Sequence, residues 1–548
     1  MPWADSVFTS LMRERRLAHP EAVWLLYGDE KYSWQESWDN VEKAANGLID
    51  AGIRPGDRVA IMMSNRPEFL WVHIGLSFIG ASSVPVNTAQ RGQALKHIIA
   101  DSSAAAVVAD GEMIPALREV VVDTPSVRLL AGDAPSSDLN VSRSISGVTL
   151  DSLLSHSSGE PDIDVGAAIE EMQAVGGKMQ TASGEPNASS KAVAGILYTS
   201  GTTGPPKGVM PKRADAKGFR RVLGSLQVRP GEVIYTALPL FHGNALGVSM
   251  LGSIMLDASL ALGKRFSASR LFDECRRYNA VEFNTLGGMV SMLCKQPSRP
   301  DDPDNPARTV LSAGCPVEYW DYFQKRFNVK IVEWFGMVDA PGYLLNDEGR
   351  IGSMGKPAGD VLFKVVDGND AELPPGKVGE LVLHHPLGRM SEYHNLPDAT
   401  ESAYRDGWFH TGDLAEIDSD GYFYYRGRKK ESMRRRGENI SAWEIESVLN
   451  GHPAIAECAA HAVPSDLGED EVKVVAVLKQ GERLDPLDLL RYCEGKMAYY
   501  AIPRYIEYVD EIEKTPTQRI RYAELKERGI TGSTWDREKA GYRVRKDA

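Results

Sequence analysis

The sequence predicts an α/β fold in which a large N-terminal part carries mostly parallel sheets and a small α+β domain follows it. Three observations predict this. Compact apolar strands alternate with amphipathic helices early in the chain, a hairpin signal and a basic run interrupt that pattern near residue 410, and short strands and helices then resume on a smaller scale. In order, WDNVEKAANGLIDA (38–51) carries apolar residues at helical spacing, and Gly52 follows as a stop. DRVAIMM (57–63) is an apolar run suited to a buried strand, PEFLWVHIGLSFIG (67–80) is helical again, and ASSVPVN returns to extended chain. Strand, helix, strand implies a βαβ unit and a parallel sheet covered on both faces. AAAVVAD (104–110) and AGILYTS (194–200) continue the series, whereas 131–192, rich in Ser, Gly, Ala and Asp, reads as a loose surface excursion.

HTGDLAEIDSDGYFYYRGR reads as two strands joined at Asp418-Ser419-Asp420-Gly421. A basic run from Arg426 to Arg436 follows. Ser441 and Glu444 then have capping-box spacing, with Ile440 and Ile445 placed for the hydrophobic staple, in a helix that stops at Gly451. EVKVVAVLK and RYIEYVD supply further strands, so the boundary falls at about residue 428 and divides the chain into 1–427 and 428–548.

The 548 residues allow about three or four domains. Hydrophobic residues at 43% and charged residues at 25% are the balance of a globular protein with a large core. A net charge of −13 argues against nucleic acid or an anionic membrane as partner, because both require a clustered positive field. No apolar stretch approaches the ~18 residues of a membrane span, and MPWADSVFTSLMRERR lacks the apolar core of a secretory signal. Five scattered cysteines without a CxxC pair suit a reducing compartment, and the cytoplasm is the expected address.

The most informative stretch is GILYTSGTTGPPKGVM (195–210). Its backbone amides and the hydroxyls of Thr199, Ser200, Thr202 and Thr203 can converge on phosphate oxygens, Gly201 and Gly204 let the chain approach closely, and Lys207 adds a point charge. Pro206 stands where a P-loop has glycine, so this is a different phosphate loop.

With that loop the chain resembles the adenylate-forming superfamily of acyl-CoA synthetases, peptide-synthetase adenylation domains and luciferases, and its acyl-CoA synthetase branch above all. TSGTTGPPKG (199–208), LPLFHGNALG (238–247), SAGCP (312–316), DGWFHTGDLA (406–415), GRKKESMRRRGENISAWEIE (427–446) and HPAIAECAAHAVPSDLGEDEV follow the family's order. The resemblance implies a layered N-terminal domain, a small mobile C-terminal domain and a hinge near Lys430. It implies two steps. A carboxylate attacks the α-phosphate of ATP with Mg²⁺, giving an acyl-adenylate and pyrophosphate, and after domain rotation the thiol of CoA displaces AMP.

By resemblance the nucleotide meets the loop 199–204, Lys207, the turn Ala313-Gly314-Cys315, the segment Trp334-Phe335-Gly336-Met337-Val338, Asp413 at the ribose and Arg428. His242, Gly243, Asn244, Asn284, Thr285, Leu286, Gly287 and Gly288 line the acyl pocket, and Arg434, Arg435, Arg436, Gly437 and Glu438 lie beside the CoA arm. The catalytic set is His242, Asp339, Lys430 and Arg519, with Asp339 a weak Mg²⁺ ligand.

The departures from the family fall on one half-reaction. Val338 replaces a threonine that donates to the α-phosphate, Asp339 a glutamate that helps to hold Mg²⁺, and Arg519 a lysine that bridges carboxylate and phosphate. This pattern predicts an acyl-CoA synthetase with impaired adenylation, confined to or biased towards thioester formation, with a separate adenylating enzyme as supplier. A complete ATP-dependent ligase, a carrier-protein-loading enzyme and a non-catalytic nucleotide binder are the alternatives. The pocket shows no evident counter-charge, and the glycine pair suggests a bulky alicyclic, aromatic or terpenoid-like acid. A homodimer is compatible with the family.

Overall fold

A shorter helix, Val7–Ala18, precedes the first one expected from the sequence, and why the latter forms is clear at its start. It runs over Trp34–Asp50, four residues ahead of the apolar pattern, because Ser33 and Glu36 close a capping box: Ser33 Oγ accepts from the Glu36 amide and the Glu36 carboxylate accepts from the Ser33 amide. Trp34, Trp38, Val41 and Leu48 are buried on it and pack towards the helix Pro67–Phe78. The computed structural model describes residues 7–161, 195–199, 205–428, 432–465, 468–513 and 520–545.

Arg58–Met62, Ser82–Pro85 and Ala106–Ala109 are the expected parallel strands. They belong to a five-stranded sheet in the order Ser82–Pro85, Arg58–Met62, Ala106–Ala109, Leu129–Gly132, Ser146–Thr149. The last strand lies inside the stretch read as a loose excursion, and the helix Leu150–Leu154 follows it, so that reading is corrected for 131–154. As an edge strand with no fully buried position, Ser146–Thr149 needs no apolar run, and its helix buries only Leu150 and Leu153. Residues 162–194 lie outside the described residues.

A nine-stranded sheet forms the centre. Its parallel body runs Lys330–Phe335, Thr309–Ala313, Ala280–Leu286, Val233–Thr236, Ser259–Leu262, Val23–Tyr27, with antiparallel strands at both edges. Alternate side chains enter different cores. Val310 and Ile331 pack with Cys275, Val290 and Phe323, while Leu311, Val332 and Ile234 pack with Val222, Leu223 and Val248. A third, antiparallel sheet holds Trp408–Ile417 against Phe423–Arg428, the expected hairpin; Asp418 Oδ1 accepts the amides of Asp420 and Tyr422 at its turn.

The C-terminal part has its own hydrophobic cluster, which includes Met433, Ile440, Ile445, Leu449, Val474, Leu489 and Ile506. It comprises the hairpin Ser432–Arg435 with Glu438–Ser441, the helix Ala442–Leu449, and a sheet of Ile455–Pro464, Asp470–Leu478, Tyr505–Tyr508 and Trp535–Asp536. The staple residues Ile440 and Ile445 share that cluster, but the capping box is not formed. Ser441 is the N-cap and its side chain makes no cap bond, because Glu444 faces inward beside Ile445 and is 4% exposed. Burial pushes the Glu444 carboxyl up to about 7. Deeper still, Lys473 donates to Glu507, which also accepts from Arg528, Thr531, Ser533 and Thr534.

Candidate active site

His242 stands where the strand Val233–Thr236 gives way to a π-helical segment, Asn244–Leu251. Its Nε2 is 3.0 Å from Oε1 of Glu438, which lies on the C-terminal hairpin. Burial works against charging the imidazole, but the Glu438 carboxylate outweighs it and the pKa is raised above 6.5. Asn87 donates to the other Glu438 oxygen at 3.2 Å and to the Tyr500 hydroxyl at 2.9 Å. Two residues expected to serve different ligands, one acyl and one CoA, are thus hydrogen-bonded across the two parts of the chain.

Glu469 makes a second link. One oxygen accepts the Gly288 and Gly437 amides, each at 3.1 Å, and the other accepts the Arg436 amide at 2.5 Å. A side chain at Gly287 would lie 2.7 Å from the same carboxylate, and φ there is +40°, so this close approach needs glycine. Arg436 and Gly437, with φ of 57° and 82°, form the two-residue hairpin turn. Arg434 Nε would lie 3.7 Å from such a Gly287 side chain, and it has no partner among the described residues. Arg435, expected at the CoA arm, turns inward instead. It is 2% exposed, pairs with Glu471 at 2.8 Å and donates to the carbonyls of Tyr500 and Ile502, and burial lowers its pKa to about 10.

Asp339 gathers residues expected on the phosphate side. Its Oδ1 accepts from the Tyr393 hydroxyl at 2.8 Å and from Thr199 Oγ1 at 3.4 Å, and its carbonyl accepts from Ser391. Lys207 Nζ lies 4.7 Å from the centre of the Tyr393 ring. A Cβ on Gly243 would sit 3.1 Å from a methyl of Val338, so the apolar group that replaces the threonine of the resembled family faces the His242 loop. Among the described residues no cluster of three or more His, Cys, Asp and Glu could hold a metal. One carboxylate suffices for Mg²⁺ only where substrate phosphates and water complete its shell.

The turn Ala313–Cys315 is joined to the segment expected to line the pocket by the bond from the Gly287 amide to the Ala313 carbonyl, 2.8 Å. Glu333, absent from the sequence expectations, holds that turn by accepting the amides of Gly314 at 2.5 Å and Cys315 at 3.2 Å. Burial, opposed by those amides and by Arg434, pushes its carboxyl up to about 8. Trp334 is 8% exposed, stacked on Tyr343 with 5.9 Å between ring centres, and packed in the core with Leu311 and Val332. Phe335 and Met337 pack against a neighbouring cluster, and Gly336 abuts the Trp334 ring. Asp413 is buried, bonded through its amide to Thr411 and in register with Arg428. Asn284 and Thr285 are both buried, and Leu286 is in register with Ala313. The loop Ser200, Gly201, Thr202, Thr203, Gly204, the residues Lys430 and Arg519, and the side chain of Arg428 lie outside the described residues.

Glu333 and Glu469 were missed because neither stands in a phosphate, hinge or ribose motif, although a lone glutamate before Trp334 in a buried strand is a usable signal.

No helix among the described residues is long and apolar enough to cross a membrane. The family model for AMP-binding enzymes matches residues 12–394, and the model for their C-terminal domain matches 444–519. A crotonobetaine/carnitine–CoA ligase from Salmonella paratyphi C is 28% identical over 514 residues, covering 90% of this chain and 93% of the relative. The o-succinylbenzoate CoA synthetase of Bacillus subtilis, as a double mutant bound with a product analogue, shares 23% identity and superposes with a TM-score of 0.76 over 95% of this chain and 98% of that one. The same enzyme in complex with AMP gives 0.61, over 94% and 98% of the two chains. An amide bond synthetase from Marinactinospora thermotolerans gives 0.75 at 20% identity, over 96% and 99%. With His242 bonded to the C-terminal hairpin at Glu438 and Asp339 bonded to Thr199, the chain belongs to the AMP-binding enzymes.

Proposed function

We propose that this protein is an acid–CoA ligase, working on a carboxylic acid by way of its acyl-adenylate, and that it forms the thioester faster than it forms the adenylate. In the first step the carboxylate oxygen attacks the α-phosphorus of ATP and the bond to pyrophosphate breaks. In the second the CoA sulfur attacks the acyl carbon, the bond to the adenylate oxygen breaks and AMP leaves with the electron pair. The boundary lies at residues 427 and 428, with Lys430 as hinge. Asp339 is the carboxylate available to Mg²⁺ beside ATP.

The observation that carries the reading is the hydrogen bond between His242 and Glu438, supported by the Glu469 link to Gly288. These bonds bring the C-terminal hairpin beside His242 and Gly288, which on this reading flank the point where an incoming thiol meets the acyl carbon. Arg434, beside Gly287, offers charge to the phosphates of CoA, and Arg436 lies exposed on the adjoining turn. The imbalance between steps rests on Val338, whose methyl faces the mouth, together with Asp339 and Arg519. A lost transition-state donor costs on the order of 10²–10³ in rate. The test offers preformed acyl-adenylates with CoA, and their parent acids with ATP and Mg²⁺, to one preparation. Acyl-CoA should form faster from the adenylate than pyrophosphate is released from the acid; equal rates refute the imbalance, and no acyl-CoA from any adenylate refutes the ligase.

A further inference from the structure

The strand Ala280–Leu286 lies in the body of a parallel sheet covered on both faces, where a continuous apolar run is the rule. It carries Glu282, Asn284 and Thr285 instead. Glu282 is 0% exposed, and neither carboxylate oxygen has a hydrogen-bond partner among the described residues. Burial pushes its carboxyl up to about 8, opposed only by the nearby Leu311 amide.

Register places this carboxyl on the face of the sheet that packs against the π-helical segment Asn244–Leu251. Glu282 neighbours Ile234, and Asn284 neighbours Leu311; Ile234 and Leu311 both pack with Val248 of the π-helical segment. Asn284 is 2% exposed, and its Oδ1 accepts from Ser249 Oγ at 2.6 Å while its Nδ2 has no partner. Five residues before Ser249, about one turn of a π-helix, Asn244 has partners at neither end of its amide. Between them Gly247 faces open space, with nothing within 4 Å of where a side chain would begin. Unpaired polar groups therefore run from Asn244, beside His242, past Asn284 to Glu282. Each buried group without a partner costs stability, and a hydrocarbon acid would satisfy none of them.

Building on the acyl-pocket reading above, we propose that the pocket takes a carboxylic acid bearing a positively charged nitrogen at the end away from the reacting carboxylate, held by Glu282, with Asn284 and Asn244 along its path. The glutamate supplies the counter-charge that the sequence expectation did not find, and the bulky neutral acids expected there are replaced by zwitterionic ones. A bound cation favours the ionised carboxylate and so offsets the burial that otherwise keeps it protonated.

The test uses matched pairs: ω-trimethylammonio acids of graded chain length, and the same acids with a tert-butyl group in place of the trimethylammonium. Binding to the full chain with AMP present is followed by calorimetry, and acyl-CoA formation is followed from the preformed adenylates with CoA. Through charge pairing with the carboxylate, the best cationic acid should bind about ten- to a hundredfold more tightly than its neutral partner, and Glu282→Gln, which keeps the shape, should erase that ratio. A neutral partner that binds as tightly in every pair of the unmodified protein overturns the proposal without recourse to any variant. So does a cationic preference that survives in Glu282→Gln. Cationic acids that bind with this preference while no adenylate, cationic or neutral, yields acyl-CoA would remove the ligase reading and leave this one standing. Acyl-CoA from neutral adenylates alone would do the reverse.

Discussion

Glu469→Ala probes how the two parts of the chain are held together. The carboxylate accepts three backbone amides, but those of Arg436 and Gly437 belong to the same C-terminal hairpin, so only the 3.1 Å bond from Gly288 resists separation. A hydrogen bond to a charged group contributes about 1.5–3 kcal/mol. Its loss lowers the closed-to-open ratio about ten- to a hundredfold, since 1.4 kcal/mol is about a factor of ten. If the closed arrangement is the one that transfers the acyl group, kcat/KM for CoA with a preformed adenylate should fall by that factor. Pyrophosphate release from acid, ATP and Mg²⁺ should stay within about twofold of the unmodified protein, the loss being confined to one step. Gly287→Ala, whose new methyl would press on the same carboxylate at 2.7 Å, should copy the effect. Equal losses in both half-reactions, or none in either, would refute this account of Glu469.

Other expectations follow from the same geometry. Glu507→Gln leaves Lys473 buried without its counter-charge and should lower unfolding stability by about 3–5 kcal/mol, read by urea titration. Burial opposes ionisation of Glu507, but its Lys473, Arg528, Ser533 and Thr531 partners prevail and depress the carboxyl from 4.5 to about 2. Its contribution to stability is therefore whole above pH 4.5 and is lost as pH falls through about 2. The pKa of His242 is raised in the folded chain, so its contribution is whole below pH 6.5 and is lost as pH rises through the raised value. Glu438→Gln should flatten that alkaline loss in a melting-temperature series, and an unchanged profile counts against the pair. Gly47→Ala places a methyl 1.9 Å from the Leu153 carbonyl oxygen and should cost about 1–3 kcal/mol by overpacking the helix Trp34–Asp50 against Leu150–Leu154.

Much of the fold was legible because apolar periodicity and punctuation agree. The strands around Arg58–Met62, the helix Pro67–Phe78 and the Asp418–Gly421 hairpin all sit where pattern and turn chemistry place them. The strand Ser146–Thr149 was illegible because an edge strand buries too little to need a pattern. Ser441 and Glu444 show the converse. Their spacing matches a capping box, but tertiary packing turned Glu444 inward, and spacing alone carries no information about which face is buried.

The site divides along similar lines. His242 and Glu438 stand in motifs and are hydrogen-bonded to each other, and Asp339 meets Thr199 of a third, whereas Arg435, in the same basic run as Arg434 and Arg436, is a core residue. In a two-residue turn hairpin alternate side chains point to opposite faces, so a run of like charges cannot all face one ligand. Glu282 left a readable trace, an acid in the middle of AVEFNTL, but only the register of the neighbouring strands shows which side of the sheet it faces.

The most direct test of the central claim is one preparation assayed for both half-reactions against a panel of acids and their synthetic adenylates. The account predicts acyl-CoA from a subset of the adenylates in the presence of CoA, at rates exceeding pyrophosphate release from the parent acids with ATP and Mg²⁺. No acyl-CoA from any adenylate, cationic or neutral, would contradict it.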